Sequence, residues 1–122
     1  MSTAENIQKI IDELREAIPE LRGILLASTE GLAVAHSFTD GADPERVAAM
    51  TSTITGLTKR ISEGLQIGLL REASISGADG QVYVYAVNPT HVLAVTLAEN
   101  ANVGLLHLEA RQTAEKIAAL LS

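Results

Sequence analysis

Cysteine and tryptophan are missing from this sequence, and phenylalanine occurs once. Without cysteine there is no disulfide framework, no zinc–thiolate site and no thiolate nucleophile. The aromatic residues are Phe38, Tyr83 and Tyr85 alone, too few for the stacking platforms that hold single-stranded nucleic acid. Basic residues are scarce as well. Nine Lys and Arg against fifteen Asp and Glu leave a formal net charge of -6, and the nine are scattered, which argues against nucleic acid as a ligand. Hydrophobic residues make up 47% of the chain, yet Gly, Ser, Thr or charge interrupts each apolar segment short of the roughly 18 residues a membrane span requires. No membrane insertion is expected. The first residues are polar and acidic and lack the basic-then-apolar order of a secretory signal, so the expected location is cytoplasmic.

What remains is a soluble-type chain of 122 residues, sized for a single domain over 1–122. Its apolar content exceeds what a small monomer needs, which favours an oligomer. Ser2 and Glu5 have capping-box spacing, Ile7, Ile10, Ile11, Leu14, Ala17, Ile18 and Leu21 recur at three- and four-residue steps, and Pro19 should end the helix near Ile18. A hairpin follows, Gly23 to Ser28 and Leu32 to Phe38, with Gly31 in its turn. Asp43 is placed to cap a helix with Pro44 at its first position, running to Ile67 and stopped by Gly68. Leu69–Ser76, Gln81–Asn88 and His91–Ala98 read as strands, and a last helix starts near Asn102.

The order α-β-β-α-β-β-β-α, with hairpin-length connections, predicts a mostly antiparallel five-stranded sheet. The segments VYVYAV and VLAVTL are apolar on both faces, so they are expected at the centre with helices on either side. The fold class is therefore α/β (α+β), a three-layer α/β/α sandwich, with the first and last helices on one face and the middle helix on the other.

In the middle helix Val47, Met50, Ile54, Leu57, Ile61 and Leu65 form one stripe, expected to pack on the sheet. The far side carries Ala48, Ala49, Ser52, Thr55 and Gly56 before Lys59 and Glu63. Ala48, Ser52 and Gly56 share an i+4 ridge along which a second helix can approach closely. A solvated face of small residues is the plainer alternative. The strand after this helix is expected at the sheet edge, where it can add to a symmetry mate.

No catalytic, cofactor or metal site emerges. The Gly-x-x-x-x-Gly-Lys-[Ser/Thr] loop is missing, so the chain should not hold nucleotide in the P-loop manner. His36, His91 and His107 fall in different elements without helical metal-pair spacing. Asp12, Glu13, Glu16, Glu109 and Glu115 suit solvated helix faces. Tyr83 and Tyr85 share a face of one strand, where core packing with hydroxyls reaching a helix terminus is the simpler role.

The stretch from Pro19 through Gly23-Ile24-Leu25-Leu26-Ala27-Ser28-Thr29-Glu30-Gly31-Leu32-Ala33-Val34-Ala35, the Ala/Ser/Thr-rich middle helix and Asn102-Val103-Gly104-Leu105-Leu106 together resemble the roadblock / dynein light chain family, in its prokaryotic form. The resemblance spans nearly the whole chain. It implies a homodimer built on the middle helix and the third strand, a platform for a small Ras-like GTPase, similar to bacterial gliding-motility GTPase regulators. It also implies no shared catalytic residue: such a platform acts by repositioning groups on the GTPase. On this basis the dimer and partner interface is expected at Ala48, Ala49, Ser52, Thr55, Gly56, Lys59, Glu63, Arg71 and Ala73. The competing reading is a structural scaffold or small-ligand sensor on the same sandwich.

Overall fold

The computed structural model describes residues 2–122. Helix α1 (Thr3–Ala17) begins at the expected capping box, where the Ser2 hydroxyl accepts from the Glu5 N–H and the Glu5 carboxylate reaches back to the Ser2 N–H. Strands β1 (Leu21–Ser28) and β2 (Ala33–Phe38) form the first hairpin. Gly31 lies in its turn with φ 94°, a region costly to any side chain with a Cβ. Helix α2 (Pro44–Gly64) starts on the Asp43 cap. Strands β3 (Glu72–Gly77), β4 (Gly80–Asn88) and β5 (His91–Ala98) follow, and α3 (Val103–Leu121) begins where the Asn102 side chain accepts from the Leu105 N–H at 3.0 Å.

The five strands lie in the order β2-β1-β5-β4-β3, and every neighbouring pair is antiparallel. As the two-sided apolar pattern predicts, β5 is central and β4 is interior. β1 also belongs to the interior and is buried along nearly its whole length. The sandwich has three layers. On one face α1 and α3 meet the sheet through Ile7, Ile11, Leu14, Leu106, Ala110 and Ile117, packed on Ile24, Leu26, Leu93, Val95 and Leu97. Burying each such side chain contributes roughly 1.5–3 kcal/mol, so this face dominates the core. The opposite face is thinner, with Ala48 of α2 over Leu25, Ala27, Val84, Val92 and Ala94.

Two boundaries fall elsewhere than the sequence suggests. Helix α2 ends at Gly64, before the expected Ile67, because the chain turns there in a Schellman arrangement. The Ile67 N–H bonds the Ser62 carbonyl, the Gln66 N–H bonds that of Glu63, and Gln66 takes the left-handed φ of 59°. The Ser62 hydroxyl then donates to the Gly68 carbonyl at 2.6 Å and closes the turn. Leu69 and Leu70, expected in the third strand, belong instead to a strap between α2 and β3, and β3 begins at Glu72.

The two sheet edges differ. Along β2, side chains of α1 hydrogen-bond the strand: the Gln8 amide donates to the His36 carbonyl at 3.0 Å, and Arg15 donates to the Ser37 carbonyl and hydroxyl at 2.7 and 2.6 Å. Beyond its pairing with β4, β3 is tied to the helical layers by the Arg111–Glu72 ion pair at 2.6 Å. Among the described residues no helix side chain hydrogen-bonds its backbone. A bare strand edge invites another strand.

Candidate protein-docking surface

Helix α2 lies on the sheet by the face that the sequence reading assigned to solvent or a partner. Ala48, Thr51, Thr55 and Ser62 are its buried residues, whereas Met50, Leu57, Ile61 and Leu65 are 53%, 47%, 58% and 68% exposed. The expectation that the apolar stripe packs on the sheet is therefore corrected for Met50, Leu57, Ile61 and Leu65; Val47 and Ile54 are half-buried, and Val47 packs against the thinner core. The reason is chemical as well as steric. Small residues let the helix settle close to the sheet, and the cost of burying hydroxyls falls when they are already bonded. The Thr55 hydroxyl donates to the Thr51 carbonyl at 2.7 Å within its own helix, and the Thr58 hydroxyl to that of Ile54 at 2.8 Å.

The nine interface positions named from sequence divide accordingly. Ala48 and Thr55 are buried inside the protomer and unavailable to a partner. Ser52 is half-buried, its hydroxyl donating to the Thr29 carbonyl at 2.6 Å, and so holds the β1–β2 turn onto α2. Ala49 stands exposed beside Gly31, Gly56 and Glu63 are exposed, and Lys59 is half-buried. Arg71 is exposed on the strap, and Ala73 is half-buried on β3, packed against the thinner core.

Sequence reasoning missed the apolar surface that α2 leaves open. Val47, Met50 and Ile54 of α2, with Ile75 of β3 and Val82 of β4, line a cleft of about 430 Å³ whose floor includes Gly23 and Thr96. A Cβ at Gly23 would fall 2.6 Å from the Phe38 ring, which closes one end of this cleft. At the other end of α2 the apolar surface continues through Ile61 and Leu65 into the strap, where Ile67 and Leu69 are also exposed. A signal for this was present: Val47, Met50, Ile54, Leu57 and Ile61 alternate steps of three and four, the spacing of a helix–helix seam.

Beyond the strap, a wider open groove of about 1430 Å³ runs between Ile61 and Ser62, Tyr85 of β4, and Arg111 and Glu115 of α3. The Arg111 guanidinium grips Glu72 through two bonds of 2.6 and 2.8 Å and holds that carboxyl below the usual carboxylate range. Burial, reinforced by the Glu72 charge, pushes the Tyr85 phenol up, and its hydroxyl is hydrogen-bonded to His107 Nδ1 at 2.8 Å. That histidine lies in the second turn of α3, so the Tyr85 hydroxyl meets a helix side chain and not the helix terminus, and the Tyr83 hydroxyl lies 3.5 Å from Gln81 Oε1 on its own strand. His36 stacks on Phe38 and His91 Nδ1 lies 2.9 Å from the Thr90 hydroxyl, so the three histidines occupy separate places. Among the described residues no group of three His, Cys, Asp or Glu is placed to hold a metal ion, and no helix is long and apolar enough to cross a membrane.

Exposed apolar flanks and bare strand edges are in general where proteins meet other proteins. The sequence model of the Roadblock/LC7 domain matches residues 7–97, from α1 through β5. The chain belongs to the Roadblock/LC7 family. Its α3 lies beyond the matched residues. Among curated relatives, this Roadblock/LC7 chain is 26% identical over 114 residues to an uncharacterized protein of Methanocaldococcus jannaschii, covering 93% of this chain and 98% of that one. The structure of Myxococcus xanthus MglB superposes with a TM-score of 0.90 at 15% identity, covering 97% of this chain and 89% of that one. The gliding protein MglB of Thermus thermophilus superposes with a TM-score of 0.87 at 18% identity, covering 98% and 91%. At such identities the two structures share the fold with this Roadblock/LC7 domain.

Proposed function

We propose that this Roadblock/LC7 domain works as a cytoplasmic homodimer, a non-enzymatic adaptor or regulator that docks a small Ras-like GTPase and modulates its GTP cycle or its location. The observation that carries this reading is the outward apolar flank of α2, Met50, Leu57, Ile61 and Leu65, next to the unprotected edge of β3. A monomer gains nothing from exposing such side chains, and patches of this kind mark contact surfaces. The interface named from sequence is revised with them. Ala49, Gly56, Glu63 and Arg71 remain on the accessible surface, while Ala48 and Thr55 give way to the apolar stripe.

Regulation without chemistry of its own fits the residues present. Phosphoryl transfer depends on positioning and charge stabilisation, which a GTPase active site supplies once its loops are held in place. A dimeric surface able to favour one arrangement of those loops shifts the cycle by binding the two nucleotide states unequally. The test is co-purification of the chain with a small GTPase loaded with GTP or GDP. Binding that depends on the nucleotide is the expected result; equal binding to both states, or none, contradicts a regulatory role.

A further inference from the structure

Four side chains from three elements meet beside the wide groove. In the ladder Glu72 of β3 is the direct partner of Tyr85 of β4, so the two share a face of the sheet, the one covered by α3. Each is held by α3: Tyr85 by His107 at 2.8 Å, and Glu72 by Arg111, one helical turn further on. The His107 ring also stands edge-on to Tyr83, with centroids 5.0 Å apart. The titratable and charged groups around this imidazole are thus Tyr83 and Tyr85 from β4, Glu72 from β3 and Arg111 from its own helix, with Arg71 of the strap beyond Glu72. Tyr85 is 1% exposed, and among the described residues His107 is the one hydrogen-bond partner of its hydroxyl. His107 itself is half-buried, so protons from solvent reach it.

We propose that His107 is a proton-operated latch: neutral, it fastens the second turn of α3 to β4, and protonated, it lets go of Tyr85 and loosens the α3 wall of the groove. In the closed state Tyr85 donates and the neutral imidazole accepts at Nδ1, with the ring proton on Nε2. An imidazolium carries a proton on both nitrogens and accepts none. The phenol cannot follow. Burial and the Glu72 charge hold it in its neutral form, so no phenolate forms to pair with the imidazolium, and its O–H is left buried without an acceptor. The Glu72 carboxylate offers little relief, because Arg111 already occupies both of its oxygens. A second cation one turn from Arg111 adds like-charge repulsion along the helix. Tyr85, Glu72 and Arg111 all line the groove, so the change is felt where α3 and the strap face each other. The latch lies on the face of the sheet packed by α1 and α3 and needs no partner protein to work.

Urea unfolding at one protein concentration tests this from about pH 7.5 to about pH 5.5, a window that brackets the ordinary imidazole value of about 6.5 and stays above the carboxylate range. His107→Asn places an amide oxygen where Nδ1 stands and cannot be protonated. As the pH falls through that window, the unfolding constant of the unaltered chain is expected to rise about tenfold more than that of His107→Asn. His36 and His91 are common to both chains and cancel. Tyr85→Phe keeps the histidine but removes the bond, and is expected to flatten the profile in the same way as His107→Asn. Parallel profiles for the unaltered and Asn chains, or a Phe chain as sensitive to pH as the unaltered one, overturn the latch. An NMR titration of the unaltered chain carries the test if a variant fails to fold. The backbone amides of Tyr85 and Leu108 are expected to shift with the midpoint of the His107 ring signals; amides that stay still while His107 titrates overturn the latch.

Discussion

Gln66 shows how much a single residue decides here. It occupies the left-handed position that ends α2, with φ 59°, where a side chain costs roughly 1 kcal/mol relative to glycine. Gln66→Gly should therefore raise stability by about 0.5–1 kcal/mol in urea unfolding, and a loss would mean that the glutamine side chain makes contacts the free protomer does not display. Glu72 sets a second expectation. The Arg111 hydrogen bonds depress its folded-state pKa, so the contribution of this pair to stability is present above the ordinary glutamate value of about 4.3 and is lost as pH falls through the depressed one. Comparing the unaltered chain with Glu72→Gln between neutral and acid pH, the stability gap should close in acid; a gap that stays constant would show that the carboxylate charge is irrelevant to the β3–α3 tie. Tyr85→Phe removes the bond to His107 from a buried ring and should cost about 1 kcal/mol.

At the scale of the element, α2 is where the sequence was read least well. The caps at Ser2, Asp43 and Asn102, the Gly31 turn, the element order and the edge position of β3 were all legible, because each depends on local chemistry: a side-chain acceptor, a positive φ, an apolar period. The orientation of α2 was not. A helical wheel assigns the largest apolar stripe to the core on the assumption that the protomer has only one apolar contact to make. Here Ala48, Thr51, Thr55 and Ser62 are the buried residues of the helix, and Met50, Leu57, Ile61 and Leu65 of the stripe are left exposed. The helix stop was misplaced for a related reason, since Gln66 rather than Gly68 takes the turning position, and propensity favours glycine there. One substitution separates the orientations. Ala48→Leu, forced against Leu25 and Val92, should cost about 1–3 kcal/mol or more through overpacking. Gly56→Ala, at an exposed position with open space around its Cβ, should gain up to about 1 kcal/mol. If the small-residue ridge faced outward instead, Ala48→Leu would leave protomer stability within about 0.5 kcal/mol.

For the whole molecule the two faces of the sheet have divided their tasks. The α1–α3 face holds the large core and most of the folding energy, and α1 also covers the β2 edge. The α2 face is thinly packed and leaves its apolar flank, the strap and the β3 edge uncovered. On the proposed pairing, stability and association are carried by different residues, so disrupting one need not disrupt the other. Sedimentation equilibrium at micromolar concentration tests this most directly, run on the unaltered chain and on Ile61→Glu, a charge placed on the exposed flank. The expected result is a mass twice the 12.9 kDa of one subunit for the unaltered chain and a folded single subunit for Ile61→Glu. A single subunit in both cases, or a dimer indifferent to the glutamate, would contradict the assignment of the α2 flank as the pairing surface.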